Sequence, residues 1–258
     1  MNRYLSLYAS AAYAFLYLPL AVLAVFSFNA SRFAIWQGFT WHWYVEVFRD
    51  ERLIEATIHS VEIAICATIF STVIGTLAAY AIWKRRARWL TNSLYLSLVT
   101  PEIVTGVSLL AFFQWIFRFL HVQLGMHTVI LAHISFSIAY AVIVILARLR
   151  TFDPALEEAA LDLGANEWQV FWRVTAPNLL PAIGAAALLC FTVSFDDYVT
   201  TSLVAGVNSE TLPMVIYSLA RRGVSPAVNA LSAMITIGIG TLIVAAEGLQ
   251  QRGARSRP

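Results

Sequence analysis

Residues Thr128 to Ala147 read TVILAHISFSIAYAVIVILA, and none of these 20 residues is Asp, Glu, Lys or Arg. An α-helix rises 1.5 Å per residue, so a helix of this length spans about 30 Å, the thickness of the hydrocarbon core of a bilayer. The stretch therefore predicts a membrane-spanning helix.

Five other stretches are long and apolar enough to meet the same criterion. The six predicted spans are Tyr8–Phe28, Ile58–Trp83, Leu94–Ile116, Thr128–Ala147, Ala182–Ala205 and Ala230–Gly248. Of the 258 residues, 59% are hydrophobic and 12% are charged, against about 45–50% and 25% in soluble domains. This composition excludes a soluble globular protein, and the charges are too scattered for a nucleic-acid interface. We expect an all-α membrane protein in which residues 1–258 form a single transmembrane domain.

The basic residues predict the orientation, because Lys and Arg near span ends tend to stay in the cytoplasm. With the N-terminus inside, 11 of the 17 Lys and Arg lie on the inner side and six on the outer side. The cluster at residues 84–88 contributes most to this difference. We expect a multi-pass protein with both termini in the cytoplasm.

The sequence lacks the patterns of several chemistries. A phosphate-binding P-loop needs a Gly-Lys pair, but Trp83 precedes Lys84, which is the one lysine in the chain. His121, His127 and His133 are six residues apart, a spacing that does not stack metal ligands on one helix face; we interpret them as core or interface histidines. We assign no catalytic residue, no metal site and no bound cofactor, and we do not expect an enzyme.

The loop between the fourth and fifth predicted spans, residues 153–177, carries helix signals. Asp153 followed by Pro154 is typical of a helix start, and Gly164 of a left-handed helix stop. Asn166 and Gln169 have the spacing of a capping box that begins a second helix, which we expect to end at Pro177. An apolar stripe follows the first helix at Leu156, Ala159, Ala160 and Leu163.

The amphipathic pattern predicts two short surface helices, but it does not say which surface the apolar stripe covers. The stripe either packs against the spans of this chain or binds a partner. Small side chains at 159 and 160 would allow a close approach, and Glu157, Glu158 and Asp162 beside them would suit a basic partner.

Glu158-Ala159-Ala160, followed after three residues by Gly164 and then by Pro177, resembles the cytoplasmic signature loop of permease subunits of bacterial ATP-binding-cassette (ABC) importers. Val174 and Ala176 stand where that family usually has Ile and Leu. The resemblance implies the type I (MetI-like) permease fold, with six transmembrane helices and a cytoplasmic two-helix coupling loop at 153–177. It also implies that Glu158, Ala159, Ala160 and Gly164 couple the loop to an ATPase.

The same resemblance implies the partners and the location. An ABC ATPase dimer would hydrolyse ATP, so this chain itself would bind no cofactor. A second homologous permease would complete the pathway as a heterodimer, and a periplasmic or extracellular solute-binding protein would deliver the solute. The expected location is the bacterial plasma (inner) membrane, within the lipid bilayer.

A narrower resemblance concerns the solute. The stretches Thr100–Leu110, Ser194–Tyr198, Glu210–Ser218 and Val224–Leu231 resemble the spermidine/putrescine permease subunits of such importers. The resemblance implies a polyamine as solute, although related permeases carry other solutes.

Ionisable side chains inside spans usually face a protein interior or a water-filled route. Glu102 lies about 12 Å, and Asp196 and Asp197 about 21 Å, from the inner ends of their predicted spans at 1.5 Å per residue. Because neighbouring helical residues point about 100° apart, we expect only one of the two aspartates to face a given route. Our hypothesis is that Glu102 and at least one of Asp196 and Asp197 line a cation pathway. The alternative is that they hydrogen-bond to neighbouring helices or to a partner permease.

Two other classes of function would also explain six spans with buried acids. A stand-alone channel or a secondary carrier driven by an ion gradient would need neither the loop motif nor an ATPase. A carrier is expected to show inverted repeats, and the sequence has none that we detect.

Overall fold

The computed structural model describes residues 3–31, 35–120, 122–221 and 226–255. Within these ranges the chain is helical, and the one β pairing is an isolated bridge between Asn29 and Phe39. The helices are α1 (Arg3–Phe26), α2 (His42–Val47), α3 (Glu51–Arg85), α4 (Arg88–Val99), α5 (Glu102–Leu120), α6 (Met126–Leu149), α7 (Ala155–Asp162), α8 (Glu167–Val170), α9 (Ala176–Asp196), α10 (Val199–Val204), α11 (Leu212–Arg221) and α12 (Pro226–Arg255), with a π-helical turn, Phe171–Thr175, between α8 and α9. The predicted all-α fold is confirmed.

Among the described residues, five helical segments are long and apolar enough to cross a membrane. They are Tyr4–Phe26, Glu51–Arg85, Glu102–Phe119, Met126–Leu149 and Glu167–Asp196. The sixth predicted span lies in α12, whose described apolar part, Pro226–Gly238, is shorter. The chain therefore has the apolar helices of a multi-pass membrane protein.

Two of the predicted spans are interrupted. The third was expected to be one helix over Leu94–Ile116, but α4 ends at Val99 and α5 begins at Glu102. Thr100 is extended, with ψ of 129°, because a residue before proline is disfavoured in the α conformation. Pro101 also has no N–H to continue the hydrogen-bond ladder.

The fifth predicted span, Ala182–Ala205, is interrupted as well. The helix α9 ends at Asp196, Asp197 is extended with ψ of 121°, and the chain resumes a helix as α10 at Val199. The expectation of a continuous helix is wrong here because the Asp197 carboxylate accepts hydrogen bonds from the first free amides of α10. Such a cap stabilises a new helix start.

The chain divides into two compact units, which are described separately. One comprises Met1–Glu55 with Val215–Pro258, and the other comprises Ala56–Met214. In the first unit, α1 and α2 both pack against α12. In the second unit, α6 packs against α4, α5, α9 and α10. The single domain expected for residues 1–258 stays a prediction.

The core of the Ala56–Met214 unit lies around α6. Buried residues of α6, among them Val142 and Ile145, pack with Leu179 and Ala186 of α9. A second cluster contains Ile63, Phe113, Val129, Ala132 and Val204. The candidate site lies on elements that these two clusters hold in place.

Candidate functional site

The first half of the 153–177 loop folds as the sequence predicts. The Asp153 Oδ1 atom accepts a hydrogen bond from the Ala155 N–H at 3.0 Å, which caps α7. Gly164 has φ of +88°, in the left-handed region that favours glycine. The Ala165 N–H then donates to the Ala160 carbonyl at 3.1 Å and closes the helix end.

The second half of the loop agrees with the sequence at its start and differs at its end. Asn166 Oδ1 accepts from the Gln169 N–H at 2.9 Å, and Gln169 Oε1 accepts from the Asn166 N–H at 3.0 Å, so the capping box is confirmed. The expected end at Pro177 is wrong. The helix α8 continues through the π-helical turn into α9, so Pro177 lies inside a continuous helical segment, directly after the π-helical turn.

The apolar stripe of α7 is not covered by the described part of this chain. Leu156 and Ala159 are exposed, and Leu163 is 89% exposed. The four predicted coupling residues lie on the same surface: Glu158, Ala159 and Gly164 are exposed, and Ala160 is partly buried. The sequence left two alternatives for this stripe, packing against the spans of this chain or binding a partner. Its exposure in the described structure favours a partner.

Glu157 differs from its neighbours because it is only 3% exposed. Its carboxylate binds the ammonium group of Lys84 at 2.7 Å and accepts hydrogen bonds from the hydroxyls of Tyr80 and Thr175. The expectation that Glu157 serves a basic partner is wrong, since its charge is paired within this chain.

A cavity of about 670 Å³ lies within the Ala56–Met214 unit, between the two helix interruptions. Its lining comes from the end of α4 and the start of α5, from α6, and from the junction of α9 and α10. The lining residues are Ser97, Leu98, Val99, Thr100, Pro101, Glu102, Thr105, Phe136, Tyr140, Val193, Asp196, Asp197, Tyr198, Val199 and Thr200.

All three predicted pathway acids border this cavity. Glu102 is the first residue of α5 and Asp196 the last residue of α9, and both are exposed. Asp197 follows in the interruption. No Lys, Arg or His is among the described residues that line the cavity, so its fixed side-chain charge is negative.

The interrupted backbone explains how helical spans can border a polar cavity. At membrane depth, non-helical backbone is tolerated where it is buried in protein or lines a water-filled space. Thr100 and Pro101 in one interruption, and Asp197 and Tyr198 in the other, line the same cavity. The two breaks in the predicted spans therefore form one feature of the fold.

The two neighbouring aspartates have different environments. The side chain of Asp197 is only 6% exposed, whereas Asp196 is exposed. The Asp197 Oδ2 atom accepts from the Thr201 N–H at 2.7 Å and from the Thr201 hydroxyl at 2.8 Å. Asp196 thus presents its carboxylate to the cavity, while the carboxylate of Asp197 turns towards α10.

His133 was not predicted as part of this site. It is a core histidine, as the sequence indicated, with 1% exposure. Its Nδ1 atom lies 2.7 Å from Ser194 Oγ, and its Nε2 atom lies 2.9 Å from Thr201 Oγ1. A sequence signal existed in the polar residues Ser194, Asp197 and Thr201, three and four positions apart within an apolar stretch. His127 is exposed on the same helix, and His121 lies outside the described residues.

Comparison with known proteins gives a consistent set of relatives. Residues 71–256 match the family described as "Binding-protein-dependent transport system inner membrane component". The chain is 40% identical over 236 residues to the spermidine/putrescine transport system permease protein PotC of Haemophilus influenzae, covering 90% of each protein. It is 38% identical over 252 residues to the putrescine transport system permease protein PotI of Escherichia coli K12, covering 95% of this chain and 90% of that protein.

A solved structure shares the fold. A chain of a bacterial ABC transporter involved in the import of the acidic polysaccharide alginate superposes with a TM-score of 0.76 at 18% identity. The superposition covers 96% of this chain and 94% of that one.

Proposed function

The chain belongs to the family of inner membrane components of binding-protein-dependent transport systems, and we propose that its cavity carries a polyamine cation inward at the expense of ATP hydrolysed by a separate subunit. It is a transport permease with the type I ABC importer fold, and not an enzyme. The observation that carries the proposal is a cavity whose described lining includes three carboxylates and no basic side chain.

The chemistry of the cavity suits a flexible organic polycation. Carboxylates bind ammonium groups through charge-assisted hydrogen bonds, and aromatic faces attract cations. In this proposal Glu102 and Asp196 contact the solute. Asp197, whose side chain is almost fully buried at the cavity border, adds negative charge without direct contact. The rings of Tyr140 and Tyr198 supply the aromatic surface. The volume of about 670 Å³ lies within the range of small-molecule sites.

The 153–177 loop would bind the ATPase. Its exposed face combines the apolar side chains of Leu156 and Leu163, small Ala159 and the carboxylate of Glu158. In this proposal ATP-driven closure of an ATPase dimer pushes α7, and the spans reorient between two states. Glu158, Ala159, Ala160 and Gly164 are the coupling residues, and this chain binds no cofactor of its own.

The remaining partners complete the transporter. We place a second homologous permease beside this chain as a heterodimer, so that each chain forms half of the pathway. A solute-binding protein delivers the solute from outside. The chain lies in the bacterial plasma (inner) membrane, with both termini in the cytoplasm, the orientation that the basic residues favour.

The proposal is tested by uptake of labelled spermidine and putrescine into cells that carry the complete transporter with or without this chain. Unlabelled amino acids, sugars and phosphate serve as competitors. We expect uptake that requires both this chain and ATP and that only polyamines compete away.

Two other results would change the assignment. ATP-dependent uptake that another solute competes away would keep the permease function and overturn the polyamine assignment. Uptake that persists without any ATPase would overturn the coupling proposal and point to a channel or a gradient-driven carrier.

A further inference from the structure

We infer that the ion pair between Glu157 and Lys84 transmits movement of the 153–177 loop to the cavity wall formed by α4 and α5. The inference rests on the proposed function of the loop, because it concerns how a docked loop moves the spans. It assigns a positioning role to a residue next to the coupling motif.

The Glu157 carboxylate has three side-chain partners within this chain. Its Oε2 atom lies 2.7 Å from Lys84 Nζ, and its Oε1 atom accepts hydrogen bonds from Thr175 Oγ1 at 2.5 Å and from the Tyr80 hydroxyl at 3.2 Å. The side chain of Glu157 is 4% exposed, and that of Lys84 is 42% exposed. One carboxylate thus joins α7 to the last turns of α3 and to the π-helical turn.

Aromatic side chains at the end of α3 pack against the π-helical turn and against the segment before α7. The ring of Tyr80 lies 4.8 Å from that of Phe171, and the ring of Trp83 lies 5.9 Å from that of Phe152. Phe152 and Phe171 are both buried. The ion pair is therefore partly shielded from water, which strengthens its electrostatic attraction.

The backbone connects the loop directly to two of the segments that line the cavity: α6, which carries Phe136 and Tyr140 and leads into the loop, and α9, which follows the loop. Beyond the π-helical turn, α9 runs without a break to Asp196, so the wall at 193–200 is joined covalently to the loop. The lining segment at 97–105 has no such short backbone connection to the loop.

The ion pair supplies a direct side-chain connection from the loop towards that segment. Lys84 is the last residue but one of α3, and a tight turn at Arg86 and Ala87 leads into α4. In this turn Arg86 has φ of +51°, and the Ala87 N–H donates to the Ile82 carbonyl at 3.2 Å. Because the turn is compact, a pull on Lys84 is passed to α4, whose far end lines the cavity at 97–99.

The connection holds because separating the two charges is costly. A buried carboxylate that loses its partner keeps its desolvation penalty. The loop therefore moves together with the cytoplasmic-side end of α3, and the lining segments at 97–105 and 193–200 both respond to one displacement of α7.

The test uses the complete transporter, reconstituted into lipid vesicles with its ATPase and binding protein. The measured quantity is the number of labelled polyamine molecules transported per ATP hydrolysed. The variants are Glu157→Gln, Lys84→Gln and the exchange Glu157→Lys with Lys84→Glu. Arg85→Gln, an exposed neighbour of Lys84, is the matched control.

We expect each single variant to lower the transport ratio by about threefold to tenfold, the size of coupling effects within connected networks. The exchange should recover most of the ratio, and Arg85→Gln should not change it. The melting temperature of the assembled complex is recorded for every variant. A lower melting temperature with a normal ratio in Glu157→Gln and Lys84→Gln would show a structural role only and overturn the inference.

A parallel variant separates this inference from the proposed docking. Glu158→Lys alters the exposed face of α7 and should release the ATPase. If Glu158→Lys releases the ATPase while the Glu157 and Lys84 variants keep a normal transport ratio, the proposed docking of the loop is supported and the role of the ion pair in transmission is overturned. If Glu158→Lys has no effect, docking itself is overturned. Where a single variant does not assemble, the exchange decides: assembly with a recovered ratio supports the inference, and failure to assemble overturns it.

Discussion

The imidazole of His133 lies behind Asp197, with 3.5 Å between the Nε2 and Oδ2 atoms. The two residues come from different spans, α6 and the interruption of the fifth span, and both side chains are almost fully buried. The Thr201 hydroxyl contacts both of them. The interruption beside the cavity is thus held from its buried side by a polar network.

The first prediction concerns His133→Ala. The change leaves Ser194 and Thr201 without their imidazole partner, and a buried polar group without a partner costs about 1–3 kcal/mol. Because Asp197 loses its support, we expect a higher KM for polyamine uptake. His133→Gln, which keeps a hydrogen-bonding group, should restore part of the affinity.

The matched control is His127→Ala, since His127 lies exposed on the same helix. Initial uptake rates over a range of solute concentrations give KM and the maximal rate for each variant. A lower amount of transporter with an unchanged KM in His133→Ala would contradict the positioning role.

The second prediction concerns the two exposed acids of the cavity. Glu102→Gln and Asp196→Asn each remove one negative charge, and hydrogen bonds to charged groups contribute about 1.5–3 kcal/mol. We therefore expect each variant to raise the KM for polyamine by about tenfold or more. Glu62→Gln, a change at an exposed acid outside the cavity lining, should leave KM unchanged. Normal KM in both single variants and in the double variant would refute the cation pathway.

The third prediction concerns the turn after α7. No atom of the described part of the chain lies within 4 Å of a Cβ placed on Gly164, so Gly164→Ala meets the backbone cost of φ at +88°, about 1–2 kcal/mol. Gly164→Pro cannot adopt this φ at all. We expect a modest loss of uptake for alanine and complete uncoupling for proline, with normal membrane insertion. Co-purification with the ATPase measures docking, and wild-type uptake in Gly164→Pro would contradict the coupling assignment.

The fourth prediction concerns the packing of α5 against α10 beside the cavity. A Cβ at Gly106 would lie 2.6 Å from Leu203 Cδ1 and 3.3 Å from Thr200 Cα. Overpacking of this kind costs about 1–3 kcal/mol, so Gly106→Ala should lower both thermal stability and uptake. Gly238→Ala, where no atom of the described residues lies within 4 Å of the added Cβ, should be neutral or stabilising. Equal melting temperatures for the two variants would show that α5 does not need the close approach.

The sequence predicts the uninterrupted spans because a run of about 20 apolar residues is enough to identify each of them. The apolar stretch Thr128–Ala147 differs from α6, Met126–Leu149, by two residues at each end. The turn at Gly164 and the capping box at Asn166 were also predictable, because each forms between residues that are close together in the sequence.

The interruptions and the buried network depend on contacts between distant parts of the chain. The apolar pattern continues through Asp197 and Tyr198, so it predicts a continuous helix where the structure has a break. His133 and Thr201 are 68 positions apart. Glu157 and Glu158 have similar local surroundings in the sequence, and Glu157 is distinguished by its contacts with Lys84, 73 positions away, Tyr80 and Thr175.

The π-helical turn at Phe171–Thr175 has a consequence for the direction of side chains beyond it. A π turn holds one residue more than an α-helical turn, and each residue advances an α-helix by about 100°. The direction in which Asp196 points, relative to the loop that contains Gly164, therefore depends on this one additional residue. Deleting one residue from the turn would leave a regular α-helical turn of about the same rotation and keep the direction of Asp196. Converting the five residues to α-helix without a deletion would instead rotate Asp196 by about 100° relative to the loop, so its carboxylate would turn away from the cavity although its chemistry is unchanged.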